Sequence, residues 1–136
     1  MKKPSLQQII KTSKVIIHKN KYAYLKCKDI PKGKHFLISQ DDNEITVVTN
    51  SNKISQVTYD EIVKWFKLIE IRVSLPFVAK GFLAKITRTV ADEGLNVLVV
   101  STFSKDYILV KAETHKKAIN ALQKVGFPII DTNINL

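Results

Sequence analysis

Between residues 66 and 73 apolar and charged positions alternate. Lys67, Ile69, Ile71 and Val73 form one mainly apolar set, and Phe66, Leu68, Glu70 and Arg72 form a second that carries most of the charge, the two-residue period of a β-strand. From Phe82 the period lengthens. Phe82, Leu83, Ile86, Val90 and Ala91 recur at three- and four-residue steps, as on the buried stripe of a helix, and Gly94 follows as a helix-ending residue. Asp92 and Glu93 stand at the negative end of that helix, where acidic charge is unfavourable. Residues 96–103 and 107–112 are β-rich runs with only Ser104, Lys105 and Asp106 between them, which predicts a hairpin. A second helix is predicted from a Thr114 cap, with Ala118, Ile119, Leu122 and Val125 on one face and a stop at Gly126. Residues 127–130 then read as an edge strand because of Pro128. From Trp65 to Thr132 the order is strand, helix, strand, strand, helix, strand, the split βαβ arrangement of an α+β, ferredoxin-like fold.

Residues 1–64 read as a smaller, strand-rich half. Ser5 with Gln8 three positions later makes a capping box for an opening helix of one or two turns through Thr12. Residues 15–18 and 22–27 follow as strands, with Asn20 between them as a hairpin signal. Ile30-Pro31-Lys32-Gly33 is loop, and residues 35–40 and 44–49 form a hairpin about Asp41, Asp42 and Asn43. Thr58 with Glu61 predicts a short capped helix ending near Trp65. The polar stretch 50–56 is the best internal boundary, which divides the chain into residues 1–64 and 65–136.

Two helices on one face of a sheet leave the other face for water, and that face would then be polar. Here it is not: Val97, Val99 and Phe103 alternate with Leu98 and Val100, so both faces of that strand are apolar. Either the amino-terminal half or a second copy of the chain is expected to cover it, and a homodimer extending a sheet across the joint is the expected assembly.

The run GFLAKITRTVADEGLNVLVVSTFSKDYILVK, residues 81–111, resembles an ACT domain, the small regulatory module that binds amino acids. The likeness is strongest to small stand-alone tandem ACT proteins, whose second domain carries a Ser-Thr-aromatic, two-residue turn, Asp-aromatic-Ile-Leu-Val hairpin. Ser101, Thr102, Phe103, Asp106, Tyr107, Ile108, Leu109 and Val110 match it in register. The same hairpin is similar to that of the animal cytosolic arginine sensors. The resemblance implies that residues 1–64 are a degenerate ACT-like repeat, with residues 36–39 and 44–48 fitting its strands. It also implies edge-to-edge pairing of domains, with ligand held at a domain or subunit interface.

Composition narrows the function classes. Hydrophobic residues make up 45% of the 136, enough for a folded core. Cys27 is alone, so no intrachain disulfide or cysteine zinc site is expected. Gln7, Gln8 and Lys11 interrupt any apolar run near the start, and no stretch approaches a membrane span, so the expected compartment is the cytoplasm, with no membrane partner. The formal charge of +10 is concentrated, since residues 1–34 hold ten lysines and one acid. Tyr22 and Tyr24 among those lysines raise an alternative reading, a basic ferredoxin-like nucleic-acid-binding module. Arginine, however, occurs only at positions 72 and 88, and valine and leucine stand where RNA-recognition sheets carry aromatics. Weak, non-specific nucleic-acid binding at most is expected.

No Gly-x-Ser-x-Gly elbow, phosphate loop or Cys/His signature is present, so no catalytic residues are assigned and the protein is not expected to be an enzyme. His18, His35 and His115 lack metal-ligand spacing, Asp41, Asp42 and Glu44 read as a turn, and neither metal nor cofactor is expected. An amino-acid ligand needs donors for its carboxylate and an acceptor for its ammonium. Gly81, after the loop 74–81 with its Pro76-Phe77 pair, permits close backbone approach at a helix start, and Thr102 and Asp106 flank the hairpin turn. In the arginine-sensor likeness these hairpin positions take part in holding the ligand. Gly81, Asn96, Ser101, Thr102 and Asp106 are therefore the candidate ligand-binding residues of a non-catalytic regulatory protein, with a regulated protein partner implied.

Overall fold

The computed structural model describes residues 3–75 and 79–131. The chain divides into two compact units, one built from residues 1–19 with 67–136 and the other from residues 20–66. This packing differs from a linear division at 64/65, because the first nineteen residues join the carboxy-terminal part. Thr132, where the last element is expected to end, and the Pro76-Phe77 pair lie outside the described residues.

In the first unit, α1 (Leu6–Lys11) opens with the expected capping box. Ser5 accepts from the backbone of Gln8, and the Gln8 side chain accepts from the backbone of Ser5. β1 (Lys14–Ile17) follows, but it does not form a hairpin with β2 (Tyr22–Cys27). β1 lies between β5 (Glu61–Arg72), to which it is antiparallel, and β8 (Ile129–Asp131), to which it is parallel. The physical reason is burial. Val15, Ile16 and Ile17 are all buried, so both faces of β1 are covered and its backbone requires a partner on each side. The ferredoxin-like order of elements is retained from β5 through α2 (Phe82–Ala91), β6 (Leu98–Ser101), β7 (Asp106–Lys111), α3 (His115–Lys124) and β8, with β1 inserted between β5 and β8. β6 is shorter than residues 96–103, and β7 begins one residue earlier than expected. A single 3-10 turn over Ala112–Thr114 precedes α3. There the Thr114 hydroxyl donates to Lys111 O at 3.5 Å instead of capping the helix, so the expected Thr114 cap is not made.

The three helices cover one sheet face. Ile69 and Ile71 of β5, Val15 and Ile17 of β1, and Ile108 and Val110 of β7 meet Ile9, Ile10, Phe82, Ile86, Ile119 and Leu122 in one core. Ile16, Leu68, Leu109 and Glu70 point to the opposite face and are also buried, so the expected contrast between the two sets of β5 is weaker than its sequence suggests. Residues 3–17 do not lie across that second face; they lengthen the sheet and the helix layer.

The second unit has strand order β3 (Leu37–Gln40), β4 (Ile45–Asn50), β2 and the first half of β5. The expected turn between β3 and β4 is present, with Asp41 Oδ1 accepting from Asn43 and Glu44 N–H. The helix expected after Thr58 is absent, because β5 already begins at Glu61 and pairs with Lys26. Ile62, Val63, Trp65 and Phe66 are strong strand formers, and a complete ladder satisfies their backbone better than a helix of one turn. The polar stretch expected as a boundary is a 3-10 helix, Ser51–Gln56, inside this unit.

Gly126 ends α3 with φ of +112°, where a Cβ would stand 2.8 Å from Gln7 Nε2. Gln7 in turn donates to Val125 O at 3.2 Å, tying α1 to the end of α3. Gly126→Ala should destabilise the protein by about 1–2 kcal/mol, the scale of forcing an L-residue into left-handed backbone. The check is the urea unfolding midpoint.

Candidate functional site

Strand alternation sends neighbouring residues of the β6–β7 hairpin to opposite faces. Ser101 and Asp106 close the ladder as a cross-strand pair, and the Ser101 hydroxyl donates to Asp106 Oδ1 at 2.6 Å. Thr102 N–H and hydroxyl both approach Lys105 O, at 2.8 and 3.3 Å, which fixes the turn. On the helix side of the sheet the hairpin faces the start of α2. Together they bound a half-open cavity of about 250 Å³. Ser101, Thr102, Phe103, Lys105 and Asp106 line it from the hairpin, Ala79, Phe82 and Leu83 from the start of α2, and Val73 and Leu75 from the chain after β5.

Gly81 is the residue before α2, with φ of +78°. It does not line the cavity, and a Cβ there would meet only ordinary contact with Leu6 at 3.9 Å. Its contribution is conformational, a left-handed residue that turns the chain into the helix without a capping side chain. The first α-helical bond runs from Lys85 N to Gly81 O at 2.9 Å, so the N–H groups of Leu83 and Ala84 precede the ladder and present the positive end of the helix. Asn96 is placed elsewhere, exposed before β6, with its Oδ1 accepting from Val97 N–H at 3.1 Å. Three of the five expected residues are thus brought together, and Leu83, Val73, Phe103 and Lys105 join them. Nothing in the local sequence identifies Val73 and Leu83 as neighbours of the hairpin.

A second cluster lies on the other sheet face. Glu70 is only 3% exposed. Its Oε2 accepts from Arg72 Nε at 2.6 Å and lies 3.7 Å from Lys105 Nζ, while Oε1 meets His18 Nε2 at 2.8 Å. Burial pushes this carboxyl up, but the hydrogen bonds from Arg72 and His18, then the charges of Lys105 and Arg72, outweigh it and hold the group below the ordinary carboxylate range. His35 bonds to Thr49 and Lys32 O, and His115 to Ala112 O, so these histidines have local structural partners. No group of metal-binding side chains occurs among the described residues.

The two tyrosines of the basic reading do not form an open stacking platform. Tyr22 meets Phe36 edge-on and Tyr24 meets Phe66 likewise, and burial raises both phenols. By residue count, fifteen lysines and arginines against six acids fall in the unit made of residues 1–19 and 67–136, which carries nearly all the net charge.

The sequence profile of the ACT domain family matches residues 61–124. Among solved structures, the chain is similar to a protein from Agobacterium tumefaciens, at 21% identity and a TM-score of 0.75, covering 88% of this chain and 92% of that one. A protein of unknown function from Vibrio cholerae, a possible transport protein by its description, has 19% identity and a TM-score of 0.72, with coverage of 89% and 95%. The regulatory subunit of aspartate kinase from Thermus flavus shares the fold at 11% identity, with a TM-score of 0.62 and coverage of 82% and 96%. Curated protein sequences give no match.

The Glu70 cluster predicts a pH dependence with a definite sign. A carboxyl whose folded value lies below its unfolded one stabilises the protein fully above the unfolded value and loses that contribution as pH falls through the folded value. Urea midpoints should therefore drop on acidification below about pH 4.3, the ordinary value for glutamate. Glu70→Gln should remove part of that slope, and an identical slope in the variant would contradict the assignment.

Proposed function

We propose that the ACT domain carried by residues 61–124 is a non-catalytic regulatory module that binds an amino acid. The observation that supports this most is the cavity joining Asp106 to the start of α2. None of the ion pairs among the described residues uses the Asp106 carboxylate, so it is available to an ammonium group. The N–H groups at the start of α2 suit a carboxylate. A zwitterion bridging the two would hold the hairpin turn against the helix, and this is how occupancy would alter the surfaces that meet a regulated partner. Ser101 and Thr102 orient Asp106 and the turn, and Gly81 sets the entry to α2. Asn96 has no comparable place beside the cavity, and its part in binding is the least supported of the five. A tandem of two ACT-like repeats, expected of residues 1–64 and 65–136, would in this reading follow the two units instead, residues 20–66 and residues 1–19 with 67–136.

The site is tested by a thermal-shift screen of the twenty amino acids followed by calorimetric titration. A ligand at a hundred times its dissociation constant should add about 2.7 kcal/mol of stability. Asp106→Asn should leave the unfolding transition in place and weaken binding by about 1.5–3 kcal/mol, the scale of a charged hydrogen bond. Absence of any hit would favour a purely structural role.

Assembly follows from the edge of the first unit. β6 pairs with β7 alone among the described residues, and Val99 and Phe103 are 38% and 85% exposed. An apolar open edge of this kind is suited to a second copy of the chain, giving a homodimer. Sedimentation at micromolar concentration should give a species of twice the 15.4 kDa chain mass, and a purely monomeric profile would refute it.

A further inference from the structure

The lining of the cavity constrains the side chain of its ligand as well as the main-chain groups. Val73, Leu75, Ala79, Phe82, Leu83 and Phe103 supply an apolar wall, while among the described residues the polar lining is confined to Ser101, Thr102, Lys105 and Asp106. Of these, only Lys105 and Asp106 are charged, and they face different ways. Asp106 is in phase with Ile108 and Val110, whose side chains enter the core beneath the helices. The Lys105 ammonium instead reaches Glu70, which is in phase with Ile16 on the opposite face. Glu70 thus holds the lysine ammonium at 3.7 Å on the opposite face, which leaves Asp106 as the one charged group of the described lining without an ion-pair partner.

We propose that the cavity selects an α-amino acid with an uncharged, apolar side chain, an inference that rests on the amino-acid reading of this site. The ligand's own ammonium occupies Asp106. A cationic side chain would then find no second carboxylate in the described lining, and Glu70 on the opposite face is buried and already engaged by His18, Arg72 and Lys105. An acidic side chain would meet the apolar wall without a counterion. Against this wall either charge gives up part of its water without gaining a partner, whereas an aliphatic side chain gains from the same contact. The volume of about 250 Å³ suits a single amino acid and falls below the usual range of about 300–1,000 Å³ for drug-sized ligands.

The test is calorimetric titration of the full chain with L-leucine, L-valine, L-arginine and L-glutamate. Leucine or valine should bind at least about tenfold more tightly than arginine or glutamate, a difference of about 1.4 kcal/mol. Phe103→Ala, which alters an exposed side chain at the cavity, should lower the affinity for leucine or valine several-fold, with wild type and variant titrated at a concentration where sedimentation gives both the same species. Arginine or glutamate binding as tightly as the apolar pair overturns the inference. If Asp106→Asn abolishes that binding, the amino-acid site itself stands. Unchanged affinity in Phe103→Ala also overturns the apolar assignment. Binding by none of the four overturns it too, and the reading of the cavity as an amino-acid site falls as well only if the other sixteen amino acids are equally silent.

Discussion

A carboxylate that is almost wholly removed from water remains charged only if cations or hydrogen-bond donors reach it, and Glu70 imposes that condition on three parts of the chain. His18 comes from the end of β1, Arg72 from β5 itself, and Lys105 from the β6–β7 turn. Each contact therefore also fixes a piece of backbone. His18 N–H donates to Leu68 O at 2.9 Å and Lys67 Nζ to His18 O at 2.8 Å, so the histidine is held from its main chain as well as its ring. The cluster thereby ties the inserted strand β1 and the hairpin to the same position on β5.

The hairpin has consequences on both sides of the sheet because its residues alternate. Through Lys105 it is anchored to the Glu70 cluster, and through Ser101, Thr102 and Asp106 it forms the polar rim of the cavity. A turn fixed on one face by an ion pair and on the other by the Ser101–Asp106 bond presents its carboxylate in a defined position, as the proposed amino-acid site requires. Preorganisation of this kind reduces the ordering cost of binding. The apolar wall has a separate origin. Phe82 is a core residue of α2, packed edge-on against Phe127 at a ring separation of 5.8 Å, so the helix start that bounds the cavity is fixed by the same packing that stabilises the unit.

Much of this arrangement is determined by local chemistry and was legible in the sequence. The capping box at Ser5 and Gln8, the apolar stripes of α2 and α3, the Asp41 turn and the hairpin from Leu98 to Lys111 each depend on residues close together in the chain. Short-range periodicity and capping were enough to place them. The hairpin also put Ser101, Thr102 and Asp106 together, since a tight turn fixes the register of its flanking strands. Three choices were decided by tertiary structure instead. β1 pairs with β5 and β8 and leaves β2 aside, Glu61–Phe66 becomes strand where a capping signal pointed to helix, and Val73 and Leu83 come to the hairpin from elsewhere in the chain. The physical reason is common to all three. Which strand satisfies a buried backbone, and which side chains close a cavity, depends on partners distant in sequence, and such partners leave no mark in the local pattern of hydrophobic and polar residues.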